Sequence, residues 1–270
     1  MSSTFGFTVS DVVKKGLTSE ENVEIIKKWS KSKWPQLTEE QIAVFLIACN
    51  NSQDLTKHTI ESNIRIKNSS PNLFKNRNLD NENLRKISQA MTFSVMPERY
   101  QDTVIFVINM NDSNYKNYCQ ESHFKLYFMV IDSIVHDNPP RDAIIIVDSK
   151  KSSLMHITTI RLNLLKLHSE YFERGLPIAC KAVHFINSSY ALSCCVNFTK
   201  PFIRSDLFQK LHFHHGTHND TIPETLSIPK RYLPKEYGGE LKSVRYYHQQ
   251  TMDKLIQMQP YFDLEEQQRS

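Results

Sequence analysis

Three stretches of this chain are too apolar to lie on a surface: residues 103–110 (TVIFVINM), 142–147 (DAIIIV) and 179–186 (ACKAVHFI). Each is nearly continuous in β-branched and aromatic residues, the mark of a strand covered on both faces. Between them lie helical patterns over 114–135, with Phe124, Tyr127, Phe128 and Ile131 on one face, and over 154–172. Strand and helix in alternation imply a mostly parallel sheet with crossover helices. Residues 1–85 are helical instead. Thr18-Ser19-Glu20-Glu21 and Thr38-Glu39-Glu40-Gln41 open two helices with capping patterns, a third runs about 54–67, and Pro71 follows it. The predicted organisation is α/β: an N-terminal helical module over 1–85, a sheet domain over 86–245, and a C-terminal helix and tail over 246–270.

Glycine usage excludes several chemistries. The six glycines, at positions 6, 16, 175, 216, 238 and 239, assemble no GxGxxG, GxxxxGK or GxSxG. Phosphate cradles and nucleophile elbows need glycine for steric reasons, so dehydrogenase, kinase and serine hydrolase readings fall away. A net charge of +4 is too mild to indicate nucleic acid, and no nucleic-acid partner is expected. Five cysteines, an odd number with no CxxC, imply a reducing compartment. No secretory pattern opens the chain and no 18-residue apolar run occurs, so a cytoplasmic protein is expected.

Residues 190–202 (YALSCCVNFTKPF) form a helical pattern that is apolar on two faces, where a surface helix has one. At roughly 20 Å such a helix is too short to cross a bilayer core of about 30 Å. A lid, touching a buried ligand on one side and a membrane on the other, suits it. Polar clusters offer less. His212, His214, His215 and His218 have no acidic or cysteine ligand at a helpful spacing, and no metal is assigned to them. Asp148, His156 and His184 could be drawn as an acid–base set, but no motif ties a nucleophile to them, and Asp148 reads better as a cap. Lys27 to Trp34 interleaves bases and aromatics, the pattern of a solvated helix face with two tryptophans turned inward. Cys194-Cys195 reads as packing. No catalytic residue is assigned and no enzyme activity is expected.

From Leu176 onward the chain resembles the CRAL-TRIO lipid-binding family. The carriers are Leu176-Pro177 with Lys181-Ala-Val-His184-Phe-Ile-Asn187, then Lys200-Pro-Phe-Ile203 with Leu211-His-Phe-His214, and Leu233-Pro-Lys-Glu-Tyr-Gly-Gly-Glu240. Phe45 to Cys49, Ile60 to Arg65 and Pro71 to Phe74 resemble the family's N-terminal module.

The resemblance implies an apolar pocket closed by a helical gate at 190–203, and ligand exchange at membranes. It places in the pocket wall Phe124, Tyr127, Ile131, Ile145, Val147, Leu176, Ile178, Cys180 and Val183, and from the gate Ala191, Cys195, Thr199 and Ile203. The membrane-contact face would hold Leu192, Val196, Phe198 and Phe202, with Arg204 and Lys210 as bases. The implied protein is a monomeric carrier, peripheral on membranes during transfer. It needs no cofactor beyond one bound hydrophobic molecule such as a retinoid, tocopherol or carotenoid. The alternative is a lipid-regulated adaptor that binds a protein partner and transfers nothing.

Overall fold

The computed structural model describes residues 5–189, 205–216 and 218–269. The gate positions Ala191, Leu192, Cys195, Val196, Phe198, Thr199, Phe202, Ile203 and Arg204 therefore lie outside the described residues. Four N-terminal helices, α1 (Val9–Lys14), α2 (Glu20–Ser30), α3 (Glu39–Ala48) and α4 (Gln53–Ser69), each start on a Ser or Thr. The hydroxyls of Thr8, Ser19, Thr38 and Ser52 accept from free amides of the first turn. Helix α3 is buried continuously from Ile42 to Ile47 and forms the bundle's centre. Two shorter helices, α5 (Pro71–Phe74) and α6 (Glu82–Ala90), lead into the sheet.

The sheet has five strands in the order β1 (Met91–Val95), β2 (Thr103–Met110), β3 (Asp142–Asp148), β4 (Cys180–Ile186) and β5 (Leu211–Phe213). Only β1 is antiparallel to its neighbour. Because the parallel strands follow one another in order, right-handed crossovers send their helices to one face. These include α7 (Gln120–Asp137), α8 (Leu154–Ile157) and α9 (Leu162–Arg174). Among the described residues four more α-helices follow: α10 (Ser205–Phe208), α11 (Ile222–Leu226), α12 (Val244–Gln257) and α13 (Gln259–Gln268).

Strand alternation splits the interior in two. Val104, Phe106, Ile108, Ile145 and Val183 face the crossover helices, in a core continuous with the N-terminal bundle. Ile105, Val107, Ile144, Ile146 and Ile186 face the other way, onto Ile222, Leu226, Leu233, Tyr237 and Tyr247. The segment carrying Leu233 folds back tightly: Leu241 N donates to Leu233 O at 3.0 Å. A Cβ on Gly239 would sit 1.9 Å from that same carbonyl oxygen, so only glycine fits there.

Three details depart from the sequence reading. The helix expected from 114 starts at Gln120, because Asp112 accepts from Asn114 N (2.8 Å) and Asn117 Nδ2 (2.6 Å) and holds a separate turn. The helix expected over 154–172 is broken between Ile157 and Leu162. There Thr158 and Thr159 donate their hydroxyls to Met155 O and His156 O, competing for carbonyls that a continuing helix would use. Strand β1 went unanticipated.

Helix α13 returns to the N-terminal bundle and closes a buried seam of charge. Arg77 reaches Asp132 at 2.8 Å and Glu266 at 3.1 Å, and also pairs with Glu265. Lys67 and Arg269 meet Glu265 at 3.1 and 2.8 Å. Burial alone would raise the Glu265 pKa, but the charges of Lys67, Arg77 and Arg269 hold it well below the ordinary carboxylate range. A hollow of about 150 Å³ lies beside the seam, bordered by Lys67, Asp132, Glu265 and Arg269.

Candidate ligand cavity

Helices α7 and α9 do not close fully onto the sheet, and between them lies a cavity of about 500 Å³. Its floor is the crossover face of the strands: Ile108, Ile145, Val147, Val183 and Phe185. Helix α7 contributes His123, Phe124 and Tyr127 to the wall, and α9 contributes Leu165, His168 and Phe172. The segment after β3 closes one end with Ser152, Ser153, His156, Ile157 and Ile160. Ile160 and Leu162 line the cavity and are yet 39% and 58% exposed, which marks a mouth on that side. None of the described wall residues is Asp, Glu, Lys or Arg.

Rings dominate one wall. Phe124 stacks on His168 at 4.3 Å, Tyr127 lies 5.5 Å from the same imidazole, and His123 lies 5.4 Å from Phe124. Burial drives both histidines neutral, His123 to a pKa of about 3 and His168 to about 4. His123 Nδ1 lies 2.9 Å from the Tyr118 hydroxyl. Burial also holds the Tyr118 pKa above the usual phenol value, so the hydroxyl keeps its proton. The wall is thus uncharged at neutral pH as well as apolar in bulk.

The structure brings five of the anticipated pocket positions onto this wall: Phe124, Tyr127, Ile145, Val147 and Val183. Four others are not among its described residues. Ile131 lies one turn further along α7 and is 1% exposed in solid core. Leu176 and Ile178 belong to the connection between α9 and β4 and pack into that same core. Cys180 sits at the N-terminal end of β4, where burial raises its thiol pKa to about 12. Sequence reasoning missed the α9 contribution, although Leu165, His168 and Phe172 follow helical spacing. Their mixed polarity hid a face that points into a hollow.

The other sequence candidates lie elsewhere. Asp148 accepts from Lys150 N (3.0 Å), Asn187 Nδ2 (2.9 Å) and Tyr237 Oη (3.1 Å), which fastens the end of β3 to the C-terminal segment. It points to the sheet face opposite His156, so the two do not form a common site. His184 stacks on His212 and His214 at 5.0 and 5.3 Å, and its Nδ1 lies 3.0 Å from His214 Nε2. Among the described residues no group of three His, Cys, Asp or Glu is arranged to hold a metal ion. Lys210 donates to Cys180 O at 2.8 Å from the β5 side. Lys33 Nζ stands 5.4 and 5.7 Å from the rings of Trp29 and Trp34, with Glu61 at 2.7 Å.

The chain has relatives among known proteins. Residues 95–239, just over half of the 270, match the family model described as CRAL/TRIO domain, and the chain belongs to that family. CRAL/TRIO domains bind lipophilic ligands. Alpha-tocopherol transfer protein-like proteins of mouse (Mus musculus) and human (Homo sapiens) are each 25% identical to it over 125 residues. That match covers 46% of this chain and 36% of theirs, about a third of the length of these curated relatives. The crystal structure of Sfh5 aligns with a TM-score of 0.49 and 14% identity, covering 85% of this chain and 79% of that one. Among the described residues no helix is long and apolar enough to cross a membrane.

Proposed function

We propose that this protein is a cytoplasmic carrier, monomeric and without enzymatic activity, that holds one hydrophobic small molecule in the 500 Å³ cavity and hands it over at membrane surfaces. The observation that carries the reading is a large apolar hollow with no formal charge on its described wall, in a chain of the CRAL/TRIO family. Hollows of this size and lining suit one drug-sized lipophile. Removing about 400 Å² of ligand surface from water contributes roughly 10 kcal/mol. Association costs of about 4 kcal/mol or more offset part of that, which leaves about 6 kcal/mol at most from burial alone, a dissociation constant of roughly tens of micromolar.

Such a molecule leaves into water slowly, so transfer at a membrane needs a greasy contact. We assign that contact, from its sequence alone, to Leu192, Val196, Phe198 and Phe202, with Arg204 and Lys210 as bases for an anionic leaflet. Ala191, Cys195, Thr199 and Ile203 are assigned to the ligand side, with Phe124, Tyr127, Ile145, Val147 and Val183 opposite. Retinoids, tocopherols and carotenoids all fall within the class.

The test is organic extraction of purified protein followed by mass spectrometry, then vesicle-to-vesicle transfer of a fluorescent lipophile. A stoichiometric extracted lipophile is expected, together with faster transfer than without protein. Val147→Phe with Val183→Phe, which fills the cavity from its floor, should abolish both while the circular dichroism spectrum stays unchanged. An empty extract, or normal transfer by the filled variant, would sink the reading. Binding without transfer would favour the adaptor.

A further inference from the structure

The sequence offers histidines over 212–218 with no further ligand at a helpful spacing, and the fold brings one from β4. His184 and His212 are register partners on adjacent parallel strands, and His214 follows His212 by two residues. Side chains at that spacing share a sheet face, so the three imidazoles stand together. The His212 and His214 rings lie 5.0 and 5.3 Å from that of His184, centroid to centroid. His184 has the parity of Ala182 and Ile186, which pack on the face away from the larger cavity. The cluster is therefore separate from the cargo site.

Two of its nitrogens already converge, with His184 Nδ1 3.0 Å from His214 Nε2. Two ligands about 2.0 Å from one ion stand roughly 2.8 Å apart at a right angle and roughly 3.3 Å apart at the tetrahedral angle. The observed spacing falls between the two. The strands fix it: Val183 N donates to Lys210 O and His214 N to Phe185 O, each at 2.8 Å. His212 is exposed, and its ring supplies a third nitrogen once it turns toward the pair. That one rotation is what separates the cluster from a complete group of three ligands.

Charge points the same way. An imidazole binds metal only when unprotonated. Burial, ahead of repulsion from neighbouring histidines, keeps His184 at a pKa of about 4 and His214 below its ordinary value. Among the described residues the charges acting on these two rings are those of His212, His214 and His215, with no carboxylate. Asp148, on the same sheet face, is engaged by Lys150 N, Asn187 Nδ2 and Tyr237 Oη. A site of imidazole nitrogens without carboxylates suits late first-row ions and not Mg²⁺ or Ca²⁺.

We propose that His184 and His214, joined by His212, bind one late first-row divalent ion, Cu²⁺ most tightly and Zn²⁺ or Ni²⁺ after it. Water completes the coordination at this rim of the sheet. The ion rivets β4 to β5, between which residues 190–204 run in sequence, and so stiffens both anchors of the segment assigned above to the gate.

The test uses the untagged chain, stripped of metal by chelation and held at neutral pH. Cu²⁺ and Zn²⁺ are titrated in by calorimetry with Mg²⁺ in large excess. One equivalent of either ion is expected to bind, Cu²⁺ the more tightly, with no competition from Mg²⁺. The electron paramagnetic resonance spectrum of the Cu²⁺-loaded native chain should show splitting from at least two nitrogens. His184→Gln and His214→Gln should each weaken binding by about tenfold or more. His218→Gln, at an exposed position beyond β5, should leave it unchanged. Should either of the first two variants fail to fold, the nitrogen splitting of the native chain still decides.

No saturable uptake would overturn the proposal and reduce the 3.0 Å contact to a plain hydrogen bond between two imidazoles. An affinity unmoved by His184→Gln or by His214→Gln would also overturn it, because the ion would then belong to exposed histidines alone. A spectrum with fewer than two nitrogens would do the same. None of these results touches the carrier reading.

Discussion

Two hollows in this molecule are built from opposite materials. The smaller, about 150 Å³, lies along the seam where α13 meets the N-terminal bundle and α7, and four ionised side chains border it. The larger, about 500 Å³, lies between α7, α9 and the sheet, with no ionised side chain on its described wall. At the seam, Arg77, Lys67 and Arg269 each find a carboxylate of Asp132, Glu265 or Glu266 within 4 Å. Charge is balanced there by direct pairing, although Arg269 Nε, 2.8 Å from Glu265, makes no aligned hydrogen bond. In the larger cavity Tyr127 Oη and His156 Nε2 have no hydrogen-bond partner among the described residues.

The sharpest way to break this contrast is at Arg77, which is fully buried and paired three ways. Arg77→Met strands Asp132 and Glu265 and should lower the unfolding free energy by about 3–5 kcal/mol in urea titration. A loss under about 1 kcal/mol would mean that the seam is ornamental. Next comes a matched pair of truncations. Ile146, on the solid face of the sheet, should cost about 2–5 kcal/mol as Ile146→Ala, whereas Leu165→Ala should cost only about 1, because its side chain already borders empty space. Equal costs would argue that the larger cavity is closed in the ligand-free protein.

Acid separates the two regions by pH. His123 and His168 titrate near 3 and 4 in the fold, against an ordinary 6.5, so the unfolded chain takes up protons first as the pH falls. Stability contributed by the cavity wall is therefore lost between about pH 6.5 and 3. Glu265 is depressed below its ordinary 4.5, so the seam's share is kept down to that pH and lost beneath it. Measured unfolding midpoints should fall in two stages, and His168→Phe should flatten the first alone. The smallest effect belongs to Tyr127→Phe. Removing a hydroxyl that has no partner should leave the empty protein unchanged or more stable by up to about 1 kcal/mol.

The three buried strands were plain in the sequence because continuous runs such as TVIFVINM have few other solutions. Helices α2 and α3 were equally plain, each announced by a Ser or Thr cap, whereas the six-residue α1 was too short to show a periodic pattern. Strand β1 was not, since MTFSV is short and its pairing depends on a partner eleven or more residues away. The cavity floor at Ile145, Val147 and Val183 followed from family resemblance, but nothing local distinguishes Val183, which meets the cavity, from Ile178, which meets solid core. That difference arises where α9 stands off the sheet, and helical spacing says nothing of separation. The partnerless state of His156 was likewise invisible, because it depends on Ser153 occupying the other ring nitrogen.

The first strand also has a consequence for how copies of this chain behave together. An outermost strand normally leaves a row of amides free to recruit another molecule, the starting point of cross-β growth. Here α12 stoppers that row with side chains: Phe93 N donates to His248 Nδ1 at 3.1 Å, Val95 N to Thr251 Oγ1 at 3.2 Å, and Ser94 Oγ to Val244 O at 2.8 Å. Proteolytic removal of that helix would convert a sealed rim into an adhesive one, and insolubility would then come from an uncovered backbone while the greasy interior stayed shut.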